Sequence, residues 1–360
     1  MSSTSEHKLA ILERWSQGEN PTPEEKDYIL KQELTTGNAA TFGITPENGL
    51  EKIAARSHLY KTVAPDILDL CIKQQVDHNQ SLCNLWNFWL PFAMDLIEVR
   101  EKLQRPLVQG ILGGQGTGKT TLAKAVQLIL AQLDYSSVAL SLDDLYKSYI
   151  ERQQIQRFDP RIVWRGPPGT HDVEIGIDLL DKLRQATRTK PVVIPRFDKS
   201  AWQGAGDKAE PEIIDPVDII MFEGWFVGVR PVPDDNVFEH APDPIRTEED
   251  RQFARDMNER LMDYVPLWHR LDRLVVLNPV DYRLSKQWRK DAEQKMREQK
   301  QAGMSDVEIE EFVDYFWKAL HPELFITPLV TNPILTDLVV EVEANHTIGK
   351  IYRPQERVDS

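Results

Sequence analysis

The sequence predicts an α/β fold: a doubly wound, mainly parallel sheet with helices on both faces, preceded by a helical N-terminal segment. Three observations carry this. From residue 106 onward, short apolar runs alternate with amphipathic helical stretches. The runs are apolar at consecutive positions, as in strands covered on both sides. Before residue 104 the apolar spacing is helical, with no strand alternation.

The elements follow in chain order. Helices are expected at 7–15, at 23–32 with acids in its first turn, at 64–75 and at 82–102, with loop signals between 37 and 49. Strands are expected at 107–112, 137–142, 192–194, 217–222, 273–277 and 338–342, all in one sheet. Between them, 120–133 reads as a helix, and so does 173–188, where Val173, Ile177, Leu180 and Leu183 recur at helical spacing. The stretch 231–250 is rich in Pro and Asp and reads as a surface loop. Residues 282–301 form a strongly charged helix. The resulting organisation is a helical extension, 1–104, packed on a domain of residues 105–360.

Composition limits the function. The chain has 360 residues and a formal net charge of -14. General binding to nucleic acid or to anionic membranes needs a net basic surface, so neither is expected. Two cysteines, Cys71 and Cys83, lie in a stretch rich in Leu and Trp and read as buried free thiols. His78 lies between them, but the spacing is too loose for a zinc site. No apolar run of spanning length occurs, and the first residues lack the basic and apolar regions of a secretory signal. A cytoplasmic protein is expected. Its oligomeric state is open, with a monomer favoured.

The clearest motif is Gly113-Gly114-Gln115-Gly116-Thr117-Gly118-Lys119-Thr120-Thr121. It fits G-x-x-x-x-G-K-[ST], between an apolar strand and a helix. Glycines let the backbone amides turn inward around phosphate oxygens, and the following helix N-terminus adds partial positive charge. Lys119 would reach the β- and γ-phosphates, and Thr120 would offer its hydroxyl to Mg²⁺. A dinucleotide fingerprint would need glycine where Lys119 stands. The chain has no Asn-Lys-x-Asp guanine signature, so ATP is the expected nucleotide. The fold is therefore of the P-loop NTPase type.

Two acids follow predicted strands. Asp143, in Leu142-Asp143-Asp144, is placed where a carboxylate can take the proton of an attacking hydroxyl, with Asp144 as a helix cap. Glu223 closes the run Ile219-Ile220-Met221-Phe222 and is the expected metal-associated carboxylate. Two Gly- and Pro-shaped segments look suited to an anionic polar substrate: 165–172, and 195–200 with Gly204 and Gly206 behind it. They supply Arg165, His171, Asp172, Arg196 and Lys199 as candidate substrate-binding residues.

The phosphate loop, Ser141-Leu142-Asp143-Asp144-Leu145-Tyr146 and Phe222-Glu223-Gly224-Trp225 together resemble the phosphoribulokinase, uridine kinase and pantothenate kinase group. Within it, three segments resemble D-glycerate 3-kinases of the plant and cyanobacterial type. They are Gly169-Thr170-His171-Asp172-Val173-Glu174, Arg196-Phe197-Asp198-Lys199-Ser200 with Gly204-x-Gly206-Asp207, and Gln287-Trp288-Arg289. The resemblance spans residues 106–350 or so. It implies transfer of the ATP γ-phosphoryl group to the 3-hydroxyl of D-glycerate, a salvage step of photorespiration, with Mg²⁺ as the metal. By the same resemblance Asp143 is the general base, Glu223 the Mg²⁺-associated acid, and Asp172 a contact for acceptor hydroxyls. Residues 281–301 or so are then a lid, from which Arg289 closes over the phosphates, with Arg283 and Arg297 as competitors. Two alternatives stay open at this point. One is a P-loop kinase for another hydroxyl acceptor (a nucleoside, pantothenate or a sugar phosphate); the other is a non-catalytic ATP-binding regulator.

Overall fold

The computed structural model of the chain describes residues 3–298 and 304–355. Its main sheet is built around β1 (Leu107–Gly113), every residue of which is buried. Strands β2 (Ser137–Ser141), β5 (Ile219–Gly224), β6 (Arg273–Pro279) and β7 (Leu338–Val342) lie parallel to it, and antiparallel β8 (Ile348–Tyr352) closes one edge. The order is β2-β5-β1-β6-β7-β8. A separate antiparallel hairpin joins β3 (Val192–Asp198) to β4 (Asp207–Ile214).

Successive side chains of each strand point to opposite faces. Leu107, Ile111, Ile219, Met221, Val275, Leu277, Leu338 and Val340 fill one face of the sheet. The N-terminal helices α1 (Ser3–Ser16), α2 (Pro23–Thr35), α4 (Gly49–Lys73), α5 (His78–Asn84) and α6 (Leu90–Leu103) share that cluster with α7 (Lys119–Ala131). A short helix, α3 (Asn38–Thr41), lies between α2 and α4, and a π-helical turn at Leu85–Trp89 joins α5 to α6. Val108, Leu112, Val138, Leu140, Ile220, Phe222, Leu274, Val276 and Val339 fill the other face. It is covered by α9 (Val173–Arg184), α10 (Glu248–Arg260), α11 (Val265–Trp268), α13 (Asp306–Ala319) and α14 (Pro322–Phe325). Helices α8 (Tyr149–Phe158) and α12 (Leu284–Glu298) lie at the carboxyl ends of the strands and line the large cavity there. Among the described residues no helix is long and apolar enough to cross a membrane.

Several expectations need correction. The run 192–194 is a strand, but it pairs with β4 and stays out of the main sheet. A main-sheet strand is apolar on both faces, whereas Val193 and its partner Ile213 are exposed. β4 was not legible because it is charged and holds Pro211, which an unpaired edge tolerates. β8 was missed too; it is short, with Gly349 and Lys350 in its middle. Its outer edge is occupied by side chains of α3. Asn38 accepts from the Ile351 amide at 3.0 Å and donates to the Gly349 carbonyl at 3.3 Å, and Thr41 donates to the Ile351 carbonyl at 3.0 Å. These contacts pair an edge that would otherwise be open. Helix α4 starts fifteen residues before the expected Ala64 and continues through Pro65, because Ile53, Tyr60, Val63 and Ile67 bury one continuous stripe. The 231–250 stretch contains a 3₁₀ turn, Asp235–His240, anchored by fully buried Phe238, and it ends in α10, capped by Thr247. Cys71 is buried, Cys83 is half-buried, and both are free thiols.

The N-terminal helices enclose one charged network. Glu33 accepts from the Trp86 indole at 2.8 Å and pairs with Arg56 at 3.0 Å and Lys8 at 3.2 Å. Arg56 also lies over the Trp86 ring, 4.3 Å from its centroid. Burial alone would raise the Glu33 pKa, but Arg56 and Lys8 reverse this and bring it from 4.5 to about 2. A carboxyl with a depressed pKa adds stability above its unfolded pKa and loses it as the pH falls toward the folded one. Such a shift corresponds to about 3 kcal/mol at neutral pH. Glu33→Ala leaves the Arg56 charge buried without its partner and is expected to cost ~3–5 kcal/mol at pH 7. Urea unfolding at a series of pH values tests this. The gap between wild type and variant should narrow between pH 5 and pH 2, and a gap that ignores pH would remove Glu33 as its source.

Candidate active site

The central strand sets the site's position. β1 ends at Gly113, and its neighbour β5 brings Glu223 level with Ile111 and with Ser141 at the end of β2. The carboxyl ends of three parallel strands therefore converge on one crevice, the place where such sheets bind ligands.

Between β1 and α7 the chain turns through Gly116 (φ +79°) and Gly118 (φ +85°), a backbone region that favours glycine. The Lys119 ammonium donates to the Gly114 carbonyl at 2.9 Å, and Thr117 donates to the same carbonyl at 2.8 Å. Burial lowers the Lys119 pKa, while Glu223 and then Asp143 oppose that shift. Thr120 donates to Glu223 at 3.2 Å. The turn and the two side chains thus form an anion cradle with an acid beside it.

Asp143 and Asp144 divide their duties. Asp144 accepts from the Ser141 amide at 3.0 Å and caps the 3₁₀ turn Leu142–Leu145. Asp143 faces the cavity and pairs with Lys199 at 2.6 Å. Burial would raise its pKa, but the Lys199 ammonium and a hydrogen bond from the Tyr146 hydroxyl outweigh it. The carboxyl is held below the usual range.

A cavity of about 850 Å³ joins cradle and acid. Lys119, Thr120, Asp143, Arg165, Lys199, Glu223 and Arg289 all line it. Three other candidates are not brought there. Arg196 is bound to Asp144 at 2.9 Å, to Glu212 at 2.6 Å and to the Ala139 carbonyl at 3.2 Å. It braces the β3–β4 hairpin against the end of β2. Asp172 is taken by Lys147 at 2.8 Å and Lys208 at 2.7 Å. His171 is buried, stacked on Tyr146 at 4.6 Å and hydrogen-bonded to the Tyr264 hydroxyl at 2.8 Å. Burial lowers its pKa to about 3, so it is neutral at physiological pH and supports the ring whose hydroxyl meets Asp143. Arg289 reaches the cavity wall, but its guanidinium pairs with Glu293 and lies 5.3 Å from the Phe312 ring. The Arg283 guanidinium pairs with Asp281 at 3.4 Å, and the residue lines a different cavity. The Arg297 side chain and the expected lid end at 299–301 lie outside the described residues.

Other participants were given no site role from the sequence, although Trp288 stands in the Gln287-Trp288-Arg289 segment. Trp288 of α12 sits against Gly116, where a Cβ would come within 2.7 Å of the Trp288 Cβ. Its indole donates to the Ala344 carbonyl at 2.9 Å and stacks on His346 at 4.5 Å. Asn84 holds the same turn, accepting from the Ile348 amide at 3.2 Å and donating to the His346 carbonyl at 3.4 Å. Gln74, just past α4, hydrogen-bonds Thr121 behind the cradle. Arg152 of α8 also lines the cavity.

No family model matches the sequence. Over 232 residues the chain is 34% identical to "D-glycerate 3-kinase, chloroplastic" of Arabidopsis thaliana, an alignment covering 61% of this chain and 49% of that protein. The chain thus spans about half the length of this relative. Over 223 residues it is 32% identical to the kinase mug58 of Schizosaccharomyces pombe, covering 59% of this chain and 79% of that one. The chain belongs to this family of P-loop kinases. The kinase is also similar in fold to a solved D-glycerate 3-kinase from Cryptococcus neoformans. Their TM-score is 0.67 at 24% identity, over 74% of this chain and 98% of that structure.

Gly116→Ala in this kinase combines a left-handed backbone with overlap against Trp288, and it is expected to weaken ATP binding by roughly tenfold or more. Titration with a fluorescent ATP analogue measures this, and an unchanged Kd would mean that the loop opens away from Trp288. Arg196→Ala is expected to lower the melting temperature and leave the acceptor KM nearly unchanged; a selective rise in acceptor KM would return Arg196 to the substrate.

Proposed function

We propose that this kinase transfers the γ-phosphoryl group of ATP to the 3-hydroxyl of D-glycerate, releasing 3-phosphoglycerate and ADP. The observation that carries the reading is Asp143: an ionised carboxylate at a strand end, across one cavity from Lys119, beside Tyr146 and within a cationic wall. The likeness to the Arabidopsis D-glycerate 3-kinase supports the choice of acceptor.

In this reading the amides of residues 114–119 and the Lys119 ammonium hold the ATP phosphates. Asp143 orients the acceptor hydroxyl and takes its proton as oxygen attacks phosphorus in line. Lys119 stabilises the charge on the moving phosphoryl group. Among the described residues no cluster of three or more His, Cys, Asp or Glu could hold a metal. Mg²⁺ keeps several waters and needs only one or two protein oxygens beside the phosphates. Thr120 and Glu223, 3.2 Å apart beside the cradle, are the hard oxygen donors that would hold it. When bound, the ion would neutralise phosphate charge. Arg289 closes over the phosphates by leaving Glu293 as α12 moves, which would exclude water. The reading includes a cytoplasmic location, a monomer and a salvage role of the photorespiratory kind. The Arabidopsis relative is named chloroplastic, so cell fractionation decides the compartment.

Product analysis with ATP and D-glycerate is the direct test. Formation of 3-phosphoglycerate is expected; 2-phosphoglycerate, or no product, would end this assignment. Asp143→Asn should lower kcat at least roughly a hundredfold while ATP still binds. Because the Asp143 carboxyl is held below its usual range, kcat/KM should stay level from pH 8 down to about pH 4 and fall only below that. A loss centred near pH 6 would point to a different base.

A further inference from the structure

Among the described residues, two arginines on one wall of the cavity have no carboxylate paired with them. Arg152 projects from α8, and Arg165 comes from the segment between α8 and α9. Both rest on a strap of backbone carbonyls. Arg165 Nη1 donates to the Gly204 carbonyl at 2.7 Å and to the Ala205 carbonyl at 3.1 Å. Arg152 donates to the Ala205 carbonyl at 2.8 Å, to the Gly206 carbonyl and, through Nε, to the Lys147 carbonyl at 2.9 Å. The strap is purpose-shaped: Trp202, Gln203, Gly204 and Gly206 all have positive φ, and a Cβ on Gly206 would overlap the Phe197 ring. That ring lies 5.4 Å from the Arg152 guanidinium carbon and 5.6 Å from that of Arg165.

Among the described residues no carboxylate pairs with either guanidinium. The nearby acid Asp207 is already engaged by the Tyr149 amide at 2.9 Å and the Trp202 indole at 2.8 Å. Other arginines near this wall are paired: Arg161 and Arg260 with Asp159, and Arg196 with Asp144. Burial, and after it the like charge of Arg165, lower the Arg152 pKa, with Asp207 opposing them. A strap of neutral carbonyls offsets only part of that. Donors also remain: of the five N–H groups of Arg165, those of Nε and Nη2 meet no acceptor among the described residues. Arg165 further lies 5.9 Å from the ring of Tyr146, whose hydroxyl meets Asp143. An anion seated on the pair would place a neighbouring hydroxyl toward the base.

We propose that Arg152 and Arg165 together form the seat for the acceptor's carboxylate, and that this pair makes the enzyme choose a hydroxy acid over a neutral polyol. The inference rests on the D-glycerate reading and deepens it. Arg152 is the new member, and Arg196 has no part in the seat.

The test compares D-glycerate, glycerol and glycerol 3-phosphate as acceptors for wild type, Arg152→Gln, Arg165→Gln and Arg165→Lys. Each Gln variant is expected to raise the D-glycerate KM at least about tenfold, the scale of a charge-assisted hydrogen bond. The ATP KM should stay within about twofold, which excludes a general loss of folding. Preference for D-glycerate over glycerol should fall by a similar factor, and Arg165→Lys should recover part of it. Wild type turning over D-glycerate while both Gln variants keep its KM would overturn the seat and leave the function intact. ATP and D-glycerate KM rising together would assign the arginines a purely structural role. A preference for glycerol 3-phosphate that the variants lose would make the seat a phosphate site. Wild type idle with D-glycerate overturns the acceptor reading itself, and no variant is needed to see it.

Discussion

A buried ammonium organises this site. Lys119 begins α7 at the foot of the cradle, where burial disfavours its charge. It stays because the Gly114 carbonyl accepts from it at 2.9 Å and because Glu223 and Asp143 stand opposite. Those acids can stand there only because β1 has β5 beside it and β2 one strand further, all parallel, so that three carboxyl ends share one rim. The loop's left-handed glycines, the acids and the sheet order are one arrangement, centred on a buried cation.

The second level of organisation is how the cradle is held from outside. The N-terminal helices bury one sheet face, and they also touch the site's periphery. Gln74 reaches Thr121, and Asn84 fixes the turn that receives the Trp288 indole. Trp288 lies against Gly116, so packing of the N-terminal helices and placement of α12 are mechanically connected through that turn. The opposite wall is built differently, from backbone carbonyls at Gly204–Gly206 that position arginines without neutralising them.

The parts legible in the sequence were those in which neighbouring residues state their own requirement. A run such as Ile219–Phe222 can only be a strand buried on both faces, and the glycine pattern from 113 to 118 followed by Lys119 needs no distant partner to be understood. Asp143 and Glu223 were legible because each follows such a run directly. The parts that depend on distant partners have the opposite character. Arg196 stands beside shaped loops and was expected at the substrate; in the structure Glu212, sixteen residues away, and Asp144 pair with it. His171 and Asp172 were claimed in the same way by Tyr264, Lys147 and Lys208. The charged β4 and short β8 gave no periodic signal, since one lies in a half-exposed hairpin and the other at an edge.

By itself, then, the sequence determined the strand–turn–helix that cradles phosphate, the acids beyond the next strands and the class of fold, because local backbone rules and apolar patterning act over a few residues. Tertiary structure decided which charges are free. A side chain's availability depends on every donor and acceptor that folding brings within reach: here Arg152 and Arg165 line the cavity on backbone carbonyls, while Arg196 pairs with Asp144 and Glu212.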